Sequence, residues 1–303
     1  MNSPGAVSVS TGGAPNARSR AFRGWPFAAG YLPILIAFGI APTGYALNLA
    51  FTNPNGSFAD LGQFADAWND YRFLPAFAHI LAYTTIWLTS LTVLVVGLAL
   101  LLHGRAGRLS SVFRFMYYMP GALAGAASVL LWLFMLDPTV SPFRSFLHLI
   151  GFHYTAQVVA APHLPWMYAI IAFWSGAGAW TVILYGALNT IPADLEDAAR
   201  IDGAGPFRIA LGLKLPLIRN WVAFMLILSF TTATQLFTEP QVVAQATGGL
   251  APYTWSPNQV AYVLGFEYGN FNRAAAISVE LLLVGLVAAG VIVARTGLFR
   301  AEQ

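Results

Sequence analysis

Six long apolar stretches constrain this 303-residue chain more than any other feature; they lie near residues 27–51, 75–102, 113–136, 165–189, 221–246 and 271–294. Each reaches the ~20 residues that a helix needs to cross a bilayer core. Inside hydrocarbon every backbone N–H and C=O must be bonded within the protein, which leaves helices or closed barrels. The stretches are continuously apolar rather than alternating, so a barrel is set aside. Charged residues make up only 9% of the chain, against roughly 25% in an ordinary soluble domain, too few to cover such a chain in water. The expected fold class is all-α, a polytopic membrane protein with six transmembrane helices. The first stretch exceeds the ~7–15-residue core of a cleavable leader and reads as a retained helix.

A pI near 9.3 and a formal charge of +3 raise the question of nucleic acid. The placement of the bases answers it. Twelve of the fifteen Lys and Arg fall on one side of the expected topology: Arg18, Arg20, Arg23, Arg105, Arg108, Arg114, Arg200, Arg208, Lys214, Arg219, Arg295 and Arg300. The other side holds Arg72, Arg144 and Arg273. The positive-inside rule then puts both termini and the loop at 190–219 in the cytoplasm of a multi-pass protein of the cytoplasmic (inner) membrane. The basic excess is an orientation signal, and no nucleic-acid partner is implied. Residues 1–24 are rich in Ser, Gly, Ala, Asn and Pro and read as a disordered cytoplasmic tail; residues 25–303 form the membrane domain. The absence of cysteine excludes thiol chemistry, and the five His show no metal-ligand spacing.

The polar loop at 190–219 carries the most functional information. Pro192 suits a first helical turn, with Thr190 before it as a cap. Asp194, Glu196 and Asp197 cluster at that amino end, where the helix dipole favours negative charge. Gly203 can take the left-handed geometry that ends a helix. Pro206 then starts a second short helix over 207–214, and Pro216 marks its exit into the fifth span. Two short helices joined by a sharp bend result, with Leu195, Ala198, Ala199 and Asp202 sharing one face.

Three groups of residues in this loop carry a family resemblance: Asp197-Ala198-Ala199, Asp202-Gly203-Ala204 and Leu213-Lys214-Leu215-Pro216. In spacing they resemble the EAA loop of ATP-binding-cassette importer permeases, with Asp197 where Glu is usual and Leu213 where Ile is usual. Arg114-Phe115-Met116-Tyr117-Tyr118-Met119-Pro120 and Asn270-Phe271-Asn272-Arg273-Ala274-Ala275-Ala276-Ile277-Ser278 extend the likeness. The chain is most similar to the carbohydrate group, of maltose and glycerol-phosphate type, in its first permease subunit.

The resemblance implies a type I importer (MetI-like) permease fold over 25–303 and import of a sugar. It implies coupling to a cytoplasmic ATPase through Asp197, Ala198, Ala199, Asp202, Gly203, Ala204, Leu213 and Pro216. The implied partners are a second permease subunit in a heterodimer, two ATPase subunits, an external solute-binding protein and membrane lipid. ATP and Mg would be bound by the partner ATPase, because this chain carries no phosphate-binding loop and no cofactor of its own. The chain is expected to be a transport subunit rather than an enzyme.

A sugar route needs polar groups within the bundle and aromatic faces for stacking. By the resemblance, and by the polar residues of the fourth and fifth stretches, the substrate path falls on Trp174, Ser175, Gly176, Ser229, Thr232 and Gln235. A second reading of the same residues has these hydroxyls bonding their own or a neighbouring helix. Glu239, Glu267 and Glu280 lie in or near the membrane. Glu239 and Glu280 leave open a proton-coupled secondary transporter, and a non-sugar solute is also open. For Glu267 a rim position, and for Glu280 a helix-pairing role, are the alternatives.

Overall fold

The computed structural model describes residues 25–104, 112, 115–123 and 125–296. The expected tail at 1–24, part of the loop after the second span and the carboxyl end lie outside the described residues. Among the described residues the chain is helical, with one isolated bridge, Thr52 to Phe58, and no strand. Four helices are long and apolar enough to cross a bilayer: Ala29–Ala50, Phe73–Gly104, Leu164–Leu188 and Phe271–Arg295. Two bent helix pairs also meet the apolar criterion when each is taken together, Phe115–Ala122 with Ala126–Leu136 and Pro206–Leu217 with Arg219–Thr234, each a broken span or a re-entrant loop. Four of the six expected crossings are thus single helices, and the count reaches six if each bent pair is one span.

The chain divides into two units, residues 1–48 and 49–303. The described part of the first is a helical rod with a π turn at Ile36–Ile40. Its Tyr31, Ile34, Phe38 and Tyr45 are exposed, the surface that suits contact with lipid.

In the second unit the core forms where the Phe73–Gly104 and Leu164–Leu188 helices pack, with Leu91, Val95, Leu164, Tyr168, Ile171, Leu184 and Leu188 all buried. Met225 and Ala233 of the fifth segment join them. Span four contains the small-residue run Ser175-Gly176-Ala177-Gly178-Ala179. The 117–121 backbone crosses there: a Cβ at Gly178 would overlap the Tyr117 carbonyl, and one on Gly121 would come within 2.9 Å of Ser175 O. Close approach through small residues is a main means by which helices associate in lipid, where no hydrophobic effect drives them together.

The breaks have local causes. In the third segment Gly125 takes φ 64° and ψ −138°, a region open essentially to glycine alone, and the helical pieces on either side turn by 108°. The fifth segment, expected as one helix over 221–246, ends at Thr234 and restarts as Thr238–Ala246. Pro240 is the reason. It has no N–H for the Leu236 carbonyl and its ring crowds that carbonyl, which favours a break at this point. At the third position of the new helix that N–H has no role.

Much of the stretch 247–270, between the fifth and sixth apolar stretches, is packed inward, with Ala251, Trp255, Ser256, Gln259 and Val260 buried. Ser256 caps the Pro257–Tyr262 helix by accepting from Gln259 N, and Trp255 beside it is fully buried. Phe73, Ala76, Val260, Leu264 and Ile277 form a second core there. Asn272 Nδ2 donates to the carbonyls of Leu49 and Thr52 at 3.1 and 2.8 Å, fixing the start of the last span. Between the third and fourth apolar stretches lies a short helix, Arg144–Leu149. On the Phe73 side, Arg72 donates to both carboxylate oxygens of Asp70 at 2.9 and 2.7 Å. That hydrogen bonding holds the Asp70 carboxyl below its ordinary range.

Candidate functional site: a helical knuckle and an intramembrane cavity

The polar loop folds as two arms. The first is the helix Ala193–Ile201, with Asp194 and Glu196 in its first turn and Arg200 in its last, the order the helix dipole favours. Pro192 is the residue preceding the helix, at φ −59° and ψ 135°, so it sits one position earlier than expected. Thr190 does not cap this helix: its hydroxyl donates back to Ala187 O at 2.7 Å, at the end of span four. Arg200 reaches back to Asp197 at 2.6 Å and Glu196 at 3.3 Å.

Gly203 takes φ +80°. Around it Ala204 N donates to Ala199 O and Gly203 N to Arg200 O, the paired bonds of a Schellman ending. A Cβ on Gly203 would meet nothing within 4 Å, so the backbone angle, not space, calls for glycine there. Pro206 opens the second arm, which runs as Pro206–Leu217, through Pro216 rather than ending before it. Ile218, at φ −95° and ψ 6°, then breaks the helix, and Arg219–Thr234 leaves at 68° to the arm.

A π turn at Ala210–Lys214 interrupts the second arm. The extra residue rotates the rest of the arm about its axis, and Lys214 faces inward at 5% exposure. Its Nζ lies 2.9 Å from Glu196 Oε1 on the first arm and 2.8 Å from His103 Nδ1 at the end of span two. The three side chains pin both arms to the Phe73–Gly104 helix. Sequence reading missed this cluster. The usable signal was a lone Lys in an otherwise apolar Leu213-Lys214-Leu215 and a Glu one residue before the family position.

Of the eight expected coupling residues, Asp197, Ala198, Asp202, Gly203 and Pro216 are exposed, while Ala199, Ala204 and Leu213 are half-buried. Two apolar side chains flank the Gly203 bend in full view of solvent, Ile201 at 87% and Phe207 at 77% exposure. They were not singled out from sequence, although an Ile and a Phe in so polar a loop were the clue.

Within the bundle, Ser175, Gly176, Ser229, Thr232 and Gln235 line one cavity of about 700 Å³, together with Tyr83, Trp87, Trp180 and Glu239. Trp174 does not join them. It lines a separate, mostly apolar cavity of about 360 Å³ and packs edge-on against Trp132, centroids 5.9 Å apart. Side chains at consecutive positions point about 100° apart, and packing turns Trp174 toward Trp132 while Ser175 lines the larger cavity.

Ser175, Thr231 and Thr232 donate to carbonyls three or four residues back on their own helices. Their oxygens keep lone pairs for an incoming donor. Ser229 Oγ is buried and, among the described residues, has no hydrogen-bond partner. Glu280 is held apart from this cavity, accepting from Trp68 Nε1 at 2.9 Å across two helices, and Glu267 is exposed at the end of the π turn Val263–Glu267.

The chain is thus a helical protein with several bilayer-length apolar helices, a polar two-armed loop that exposes Ile201 and Phe207, and a polar cavity among its helices. The chain belongs to the family described as binding-protein-dependent transport system inner membrane component, which matches residues 94–297. It is therefore a membrane subunit of a multi-component transport system and not an enzyme. It is 29% identical over 263 residues to the sn-glycerol-3-phosphate transport system permease protein of Yersinia enterocolitica, covering 84% of this chain and 86% of that one. It is 28% identical over 286 residues to the diacetylchitobiose uptake system permease protein of Streptomyces coelicolor, covering 90% and 80% respectively. Among solved structures, a bacterial ABC transporter involved in import of the acidic polysaccharide alginate matches with TM-score 0.75 at 18% identity, covering 94% of this chain and 99% of that one. The same fold recurs, at TM-score 0.72, 18% identity and 91% and 95% coverage, in the alginate transporter complexed with its alginate pentasaccharide-bound periplasmic protein.

Proposed function

We propose that this chain is one permease subunit of an ATP-driven, binding-protein-dependent saccharide importer. It contributes half of the translocation path and is moved through the 190–219 knuckle. The observation that carries the reading is the knuckle itself: a two-armed helical body, pinned to span two through Lys214, with Ile201 and Phe207 exposed at its bend. Exposed apolar anchors ringed by charge are what a docking partner buries. The partner is a cytoplasmic ATP-binding-cassette ATPase, present twice, which binds ATP and Mg. A second permease completes the path, an external solute-binding protein delivers the sugar, and both termini face the cytoplasm. Closure of the ATPase pair moves the knuckle as a body, and the helices packed on it move with it.

The relatives named for glycerol phosphate and diacetylchitobiose uptake support a polyhydroxylated solute. So does the cavity, whose hydroxyls and indole rings suit a sugar's edges and faces. The chain has no cysteine, so a single Ile201→Cys or Phe207→Cys is the only thiol in it. Crosslinking of either to the co-purified ATPase, with no labelling by a membrane-impermeant reagent from outside the cell, is the expected result. Labelling from outside, or uptake that continues without ATP while a proton gradient persists, would overturn the reading.

A further inference from the structure

We infer that the cavity around Ser229 selects against negatively charged solutes, and that this permease carries an uncharged saccharide. The inference deepens the saccharide reading above and rests on it. Its ground is one side chain the sequence left unassigned. Glu239 lines the same 700 Å³ cavity as Ser229 and Gln235. It got there because Pro240 breaks the fifth segment: the chain restarts as Thr238–Ala246, with Glu239 in the first turn at the cavity wall. The amino end of that helix favours negative charge at this position. No Lys, Arg or His lines the cavity among the described residues.

The chemistry of the wall then sorts solutes by charge. A carboxylate accepts hydrogen bonds and donates none, so it suits the hydroxyls of a neutral sugar. Gln235 adds two donors and an acceptor, and Ser229 adds an unpaired buried hydroxyl. Tyr83, Trp87 and Trp180 supply flat faces for a ring. A phosphate or uronate in the same space would share it with the Glu239 carboxylate, walled by protein of lower dielectric than water, where like charges repel more strongly than in bulk solvent. The cavity is thus unsuited to the charged solutes for which some similar proteins are named, glycerol phosphate and alginate.

The test omits the external protein, so that only the membrane site is read. The solubilised complex of this permease with its partner permease and ATPase is titrated with matched pairs, glucose and glucuronate, maltose and maltobionate, N-acetylglucosamine and its 6-phosphate. Binding of the neutral member about tenfold or more tightly than its anionic partner is expected. In Glu239→Gln, a substitution of the same shape without the charge, that ratio should fall to within about threefold. Equal affinities in the unsubstituted complex, or a ratio unchanged in Glu239→Gln, would overturn the charge selection and leave the saccharide reading intact. Binding by no member of any pair would instead remove the saccharide reading, and this inference with it.

Discussion

Replacing Lys214 with Met should loosen the knuckle without unfolding the membrane bundle. The Lys214 side chain is 6% exposed and that of Glu196 13%, so the substitution leaves a mostly buried carboxylate short of its nearest cation. Removing one partner of a buried ion pair typically costs ~3–5 kcal/mol. Two neighbours of Glu196 soften the loss, Arg200 at 3.3 Å and His103 at 3.8 Å, and about 2 kcal/mol remains. That is roughly a 30-fold rise in local opening.

Amide hydrogen exchange reads this directly. Amides of Ala193–Ile201 should exchange about 30-fold faster, while those of Leu164–Leu188 stay as they were. Uptake should fall with no change in ATP binding by the partner. The double variant Glu196→Gln with Lys214→Met carries no orphaned charge and should recover at least half of the protection. Unchanged exchange in the single variant, or a double variant as loose as the single, would refute the idea that this ion pair holds the two arms together.

Three other substitutions probe the frame and the path. Gly178→Ala forces a methyl into the Tyr117 carbonyl and should cost ~3 kcal/mol, seen as lost thermal stability in detergent; Gly186→Ala, with nothing within 4 Å, is the control that should stay near wild type. Gly203→Pro removes the N–H bonded to Arg200 O and forbids φ +80°, so uptake should vanish while membrane insertion persists; Gly203→Ala should lose only ~1 kcal/mol of local stability. Thr232→Leu, on the cavity wall, should weaken solute affinity severalfold while leaving the ratio of uptake to ATP hydrolysed unchanged, and an unaltered uptake profile would remove Thr232 from the path.

The crossings and the knuckle were legible because each depends on local chemistry. About twenty continuously apolar residues with few charges favour a bilayer-spanning helix, and the Pro192, Gly203 and Pro206 spacing favours two helices and a bend. What the chain alone could not show depends on contacts far apart in sequence. His103 meets Lys214 across 111 positions, and Tyr117 passes over Gly178 only once two spans have packed.

The cavity sits between these cases. Its hydroxyls were expected from the family resemblance and from the polar residues of the fourth and fifth stretches, but Trp174 was expected with them and faces elsewhere, because a helix's phase about its own axis is set by its neighbours and not by hydropathy. Glu239 was legible in the sequence as an acid in or near the membrane. Only the packed structure decided that the break at Pro240 carries its carboxylate to the same wall as Ser229. Periodicity and turn chemistry thus settle which segments are helices and where they bend, since those terms act over a few residues. Which side chains share a cavity or an ion pair is decided by packing, where every helix's rotation depends on all the others.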